Sequence, residues 1–258
     1  MHLMRKLASV CLLLLGGIAA GRAQTDGSVI INEIANSGTK TSAYTGGEYV
    51  ELLVVQAEGV KMAGWYLTDM SNPGSEPKQD EGWIRFSDSP RSLFTRTIPS
   101  GTYILICLGE KGMRYGSREV EEDTSLDDGN NRLVLFAYGS PEHINRGKGL
   151  IGFTGRDNVA LLTDWAKDAA VDIVSWEGAS MWEGAMTTEL PQEMVNNGKI
   201  IWFAPYGFQR ANFMNNSYPG SWRDSESSRN ATPGARNVDV IDTALAPPAK
   251  PDTLKVKP

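Results

Sequence analysis

The chain has 258 residues, 41% of them hydrophobic and 22% charged, with a formal net charge of −6. That is enough apolar material to build a sizeable core. The acidic balance argues against binding a phosphate backbone, which needs clustered Lys and Arg to displace counterions.

Residues 1–23 begin with a short basic stretch (Arg5, Lys6), continue through an apolar run from Leu7 to Ala20 and end in Gly21-Arg22-Ala23. This pattern predicts a cleaved secretory signal; the apolar run is shorter than the roughly 20 residues a membrane span needs. Cys11 stands at the start of the apolar run, the wrong place for a lipoprotein signal. Loss of Arg5, Lys6 and Arg22 with the leader takes the formal charge to −9, and leaves Cys107 and His143 as the single cysteine and single histidine. No intrachain disulfide is then possible. The mature chain is expected to be exported, without a transmembrane segment.

Val29–Asp69 holds three strand candidates. SVIINEIA is β-branched and apolar apart from Asn32-Glu33, which favours a half-buried strand. After the Gly46-Gly47 turn, the run Glu48–Val55 alternates: Glu48, Val50, Leu52 and Val54 share one face, and Tyr49, Glu51, Leu53 and Val55 the other. Met62–Asp69 (MAGWYLTD) reads as a third strand, with Gly64 suited to a bulge or close backbone approach.

Loop chemistry fills Ser71–Pro77, followed by a short strand candidate, Trp83–Phe86. Ile98–Thr102 turns into an apolar strand at 102–108 that holds Cys107, expected to be a core thiol. Gly109–Asn131 is polar and acidic, and loops of this length are usually functional or disordered. Within it, Asp123, Asp127, Asp128 and Asn130 offer oxygen ligands of the kind Ca²⁺ takes. The register of the helix-flanked calcium loop is missing, and the plain expectation is a solvated acidic loop, with no cofactor. Strand candidates follow at Arg132–Phe136 and Leu150–Phe153, and His143 lies in the turn between them.

No G-x-S-x-G elbow or H-E-x-x-H helix accompanies that histidine, so no catalytic motif is complete. Glu33, Glu48 and Glu51 carry the chemistry of a carboxylate pair, but strand carboxylates more often brace a sandwich. Asp157–Leu162 and Ala170–Trp176 form a late strand pair; Glu189–Val195 is expected to make one short helical turn. Aromatic residues crowd the last third, and Trp176, Trp182, Trp202 and Tyr206 are candidate platform residues for a glycan or protein. Residues 238–258, rich in proline and without a core pattern, are expected to be a flexible tail. Asp242-Thr243-Ala244 and Asp252-Thr253-Leu254 are candidate O-glycan acceptors, and Asn215 and Asn230 fit the N-glycan pattern.

The order I-N-E-I, E-Y-V-E-L, M-A-G-W-Y-L-T-D, then the late strand pair, Ser221-Trp222 and T-P-G-A-R-N at 232–237, resembles the lamin-tail domain family in its secreted bacterial form. The resemblance implies an all-β, immunoglobulin-like antiparallel β-sandwich over residues 24–237 with long loop insertions. It also implies structural roles for Asn32, Glu33, Glu48, Glu51, Gly64, Trp65, Asp172, Trp222, Pro233, Gly234 and Asn237. The nucleic-acid role of the eukaryotic relatives is not expected in so acidic a chain. By analogy, the expected function is a non-catalytic module of the envelope or extracellular space that binds a protein or glycan through loops at one end of the sandwich. The alternatives are a carboxylate- or calcium-dependent hydrolase and a structural subunit of an envelope assembly.

Overall fold

A computed structural model describes residues 28–36, 48–69, 82–109, 114–115, 118–153, 157–165, 169–176, 187–190, 199–203, 222–225 and 256–257. In chain order the strands are β1 (Val29–Asn36), β2 (Tyr49–Val54), β3 (Tyr66–Thr68), β4 (Trp83–Phe86), β5 (Tyr103–Cys107), β6 (Arg114–Tyr115), β7 (Arg118–Val120) and β8 (Arg132–Phe136). They continue with β9 (Ile144–Arg146), β10 (Asp157–Leu162), β11 (Ala170–Trp176), β12 (Thr187–Leu190), β13 (Lys199–Phe203), β14 (Trp222–Ser225) and β15 (Val256–Lys257). Among the described residues one 3₁₀ turn, Leu93–Thr95, interrupts them; Ser92 Oγ caps its Phe94 amide, and the Leu93 amide donates to His143 Nδ1. Among the described residues no helix is long and apolar enough to cross a membrane.

The strands form two six-stranded sheets, ordered β14-β13-β1-β2-β5-β8 and β12-β11-β10-β3-β4-β9, and a small third sheet, β15-β7-β6. Antiparallel pairing dominates this all-β sandwich, but β5–β8 and β11–β12 are parallel. The alternation along the strands explains the packing. Val50, Leu52, Ile104, Ile106, Leu133 and Leu135 of the first sheet meet Leu67, Ile84, Phe86, Val159, Leu161 and Val174 of the second in one buried core. The opposite face of the first sheet, with Tyr49, Leu105, Cys107, Val134 and Phe136, packs beneath Val120 of β7. Cys107 is fully buried there, and desolvation pushes its thiol pKa far up, as expected for a core thiol.

A bulge in β1 ties the two sheets together. The register jumps between Ile31 and Glu33, leaving Asn32 as the extra residue. The Ile31 amide donates across the sandwich to Asp172 Oδ2 of β11 at 2.6 Å, while Asn32 Nδ2 donates to Glu51 Oε1 at 2.7 Å. Glu33 accepts from the Tyr49 hydroxyl. Asn32, Glu33, Glu51 and Asp172 are all buried, and their observed bonds are to one another's elements, a bracing role.

Several local expectations need correction. Met62–Asp69 forms a strand only over Tyr66–Thr68: Met62–Trp65 is a turn in which Gly64 adopts φ +87° and donates to the Phe86 carbonyl at 2.8 Å. Leu150–Phe153 is not a strand: the Ile151, Gly152 and Phe153 amides donate to side chains. Of the expected helical turn Glu189–Val195, Glu189 and Leu190 belong instead to β12, paired in parallel with β11, and 191–195 lie outside the described residues. The acidic 109–131 stretch is not wholly a loop, since it contains β6 and β7 and an Asp123–Val134 bridge. Within the expected tail, Val256 and Lys257 pair with Val120 and Glu119. The remainder of 238–258 lies outside the described residues.

Candidate functional site at one end of the sandwich

Register places the two sheets' ends together. Ala35, Tyr49, Cys107 and Phe136 are in line across the first sheet, and the chain leaves or enters it nearby at Asn36, Glu48 and Tyr138. In the second sheet, Thr68 pairs with Trp83, and Asp157 with Trp176. The ends of β1, β3, β5, β8, β9, β11 and β12 and the starts of β2, β4, β10 and β13 therefore lie at one end of the sandwich.

Residues 149–153 cross this end. Gly149 pairs with Gly82 in an isolated parallel bridge. The next three amides after Leu150 then donate in succession to three side chains from different elements. Ile151 donates to the Tyr138 hydroxyl oxygen at 2.8 Å, Gly152 to Asp69 Oδ2 at 2.9 Å and Phe153 to Glu48 Oε2 at 3.3 Å. Tyr138 and Glu48 belong to the first sheet's end and Asp69 to the second's, so one extended segment straps the two sheets. Leu150 precedes it with 68% of its surface exposed, the one large exposed hydrophobic among the described residues.

Burial dominates the electrostatics. Desolvation raises the Glu48 carboxyl pKa from 4.5 to about 7; the Phe153 amide opposes this and the nearby Asp157 charge adds to it. Asp69 rises from 3.8 to about 7, again mainly through desolvation, opposed by the Gly152 amide and reinforced by Asp157 and Glu48. Tyr138 is also raised by burial, and the guanidinium of Arg146 lies over its ring at 4.7 Å. Both carboxyls therefore hold their protons well above the usual carboxylate range. Perturbed carboxyls gathered this way mark a candidate functional site.

The expected sites fare differently. Trp176 is not a platform: it has no exposed surface and meets Phe153 edge to face at 6.0 Å, since β11 directs it into the core beneath this end. Trp182 and Tyr206 lie outside the described residues, as does the side chain of Trp202, whose backbone pairs with Glu33 in β13. The expected calcium ligands each have local partners. Asp123 is buried, accepts the Ser125 amide at 3.2 Å and lies 3.8 Å from Arg132. Asp127 is exposed, 4.0 Å from Arg96, and Asp128 accepts the Asn130 amide at 2.9 Å in a local turn. Among the described residues no group of three or more His, Cys, Asp or Glu converges as a metal cradle. Trp222 contributes its backbone to β14, while Pro233, Gly234 and Asn237 lie outside the described residues.

Of the residues singled out in the sequence, Glu48 alone joins the strap. Asp69, Tyr138, Asp157 and the 151–153 amides were missed. Asp69 and Asp157 each stand at a strand terminus, which was the one signal available, and no spacing rule links positions so far apart. Compared with protein-family models, curated proteins and solved structures, the chain finds no match in any of the three.

Proposed function

We propose that this chain is an exported, non-catalytic binding module of the cell envelope or extracellular space, which engages a protein or glycan through the loop-bearing end of its sandwich. The observation that supports this most is the gathering of Glu48, Asp69 and Tyr138 at the end of the sandwich where β1, β3 and β8 finish and β2, β4 and β10 begin. Hydroxyl and amide donors of a sugar or peptide suit an acidic, acceptor-rich end of this kind, and loops carried on a rigid sandwich are a common way to build a binding surface. The immunoglobulin-like character of the sandwich and its lamin-tail kinship belong to this reading, as does export, which rests on the 1–23 leader.

A thermal melt of the leader-free protein against a panel of soluble glycans, with and without millimolar calcium, tests it, because a ligand selective for the folded state raises the melting temperature. A glycan-induced rise that disappears in Asp69→Ala supports the reading. A rise that survives this change moves the binding surface away from this end.

The raised carboxyls favour a second reading, an acid–base hydrolase using Glu48 and Asp69. Turnover of chromogenic glycosides by the wild type, lost in Asp69→Asn, would replace the non-catalytic reading with this one.

A further inference from the structure

We propose that the outer edge of β7 is a strand-accepting site for an extended basic–apolar–basic peptide, and that the segment around β15 of the same chain is its resident occupant. The acceptor belongs to the acidic 109–131 stretch, which leaves the first sheet after β5 and returns to it in β8. Two backbone bonds hold that return: the Asp123 amide donates to the Val134 carbonyl at 2.9 Å, and the Val134 amide to the Asp123 carbonyl at 2.7 Å. Just before this bridge, Val120 is buried with Leu105, Cys107, Val134 and Phe136 on the outer face of the first sheet. β7 is thus fixed against that sheet, with β6 along one edge and β15 along the other.

A strand joins an edge through main-chain bonds, and its alternate residues decide which peptide the edge accepts. β15 pairs antiparallel with β7, Val256 facing Val120 and Lys257 facing Glu119. Facing residues share a face of the sheet and successive residues alternate between faces. Val120 lies on the face turned to the first sheet, so position 256 shares it, and positions 119 and 257 share the other. An apolar residue therefore falls on the core side, and opposite formal charges fall together on the far side. The flanking sequence repeats the match: Lys255 precedes Val256 and Glu121 follows Val120, so Lys-Val-Lys reads against Glu-Val-Glu. Opposite charges facing across a pair favour it, and like charges oppose it.

Nothing in the covalent connection forces β15 onto this edge. β14 and β8 are the opposite edges of the first sheet, and β7 packs at the β8 side. Five inter-strand steps put roughly 24 Å between those edges. Residues 226–255 separate β14 from β15 and would span about 100 Å fully extended, several times what the crossing needs. A tether with so much slack does not select a register, which leaves the selection to the β7 edge and its alternation of residues.

Cross-linking tests both the register and the recognition. Under mild oxidation the leader-free chain with Glu119→Cys and Lys257→Cys should form an intramolecular disulfide at least about tenfold faster than the chain with Glu119→Cys and Val256→Cys, whose positions stand on opposite faces. Cys107 is buried and takes no part in either. A free peptide of residues 253–258, at several times the millimolar effective concentration of the tether, should slow the faster reaction at least about twofold. The same peptide with Lys255→Glu and Lys257→Glu should leave it unchanged. Equal rates for the two cysteine pairs, a disulfide between two molecules, or the same effect from both peptides overturns the proposal. Protected Leu133–Leu135 amides in hydrogen exchange confirm that each variant is folded. Should a cysteine variant lose that protection, Lys257→Glu in the otherwise native chain decides: exchange at the Glu119 and Val120 amides should quicken and should return towards the native rate on adding Glu119→Lys, and unchanged exchange overturns the proposal. No ligand of the loop-bearing end enters these measurements, so their outcome is separate from that of the binding reading.

Discussion

Asp69 Oδ2 accepts the Gly152 amide at 2.9 Å across 83 residues of sequence, joining the exit of β3 to the segment that crosses the end of the sandwich. Burial raises the same carboxyl to about 7, so this contact is both a tertiary tie and a titrating group.

Stability should therefore depend on pH in a defined direction. Glu48 and Asp69 both titrate higher folded than unfolded, so the folded chain holds extra protons between about 4 and about 7. Their contribution is fully present below the unfolded values and is lost as pH rises through about 7. Glu48→Gln/Asp69→Asn should melt higher than wild type at about pH 8, by on the order of 1 kcal/mol after allowance for solvent screening, and about level with it near pH 3.5. Urea denaturation at the two pH values checks this; a variant less stable at the higher pH would contradict it.

Gly82→Ala should loosen the strap at every pH. Its new methyl group would meet Leu150 O and Asp69 Oδ1 at distances real Cβ atoms do not adopt, and neither the backbone carbonyl nor a carboxyl already bonded to Gly152 can move away freely. We expect a loss of about 1–3 kcal/mol in chemical denaturation, with deprotection concentrated at 151–153. Unchanged stability would mean that the strap rides clear of β4.

Trp176→Ala should be costly to folding. The ring is fully buried and meets Phe153 edge to face. A loss of about 3–5 kcal/mol is expected from removing so large a buried side chain. Trp176→Phe, which keeps much of the volume, should fold and leave any ligand-induced shift in melting temperature intact. Abolition of that shift in a stably folded Trp176→Phe protein would show that this ring does more than pack.

Asp123 and Arg132 form a close pair in a buried setting, 3.8 Å apart with side chains 7% and 4% exposed. Arg132→Met leaves the Asp123 carboxylate buried without that cation, and a loss of about 3–5 kcal/mol is expected. Asp123→Leu in the Arg132→Met background should recover part of it, giving a coupling of at least about 1 kcal/mol in a double-mutant cycle. Strict additivity would show that the two charges are held independently.

Much of the architecture was legible from side-chain alternation. Val50, Leu52 and Val54 against Tyr49, Glu51 and Leu53 identified β2 and its two faces, and the late pair Asp157–Leu162 and Ala170–Trp176 pairs antiparallel as expected. Leu150–Phe153 carried the same apolar composition, yet it is not a strand. Composition says that a segment is extended and half buried; it does not say whether its amides face another backbone or a set of side chains.

What the sequence by itself determined is the all-β class, the strands of the core and which residues share a face, because those follow from a period of two read along one segment. Only the tertiary structure decided that Glu48, Asp69, Tyr138 and Asp157 occupy one end, that Trp176 points inward and that Asp123 lies beside Arg132. Each of these depends on which strand ends are brought together when two sheets pack, a relation between distant segments that no local spacing encodes.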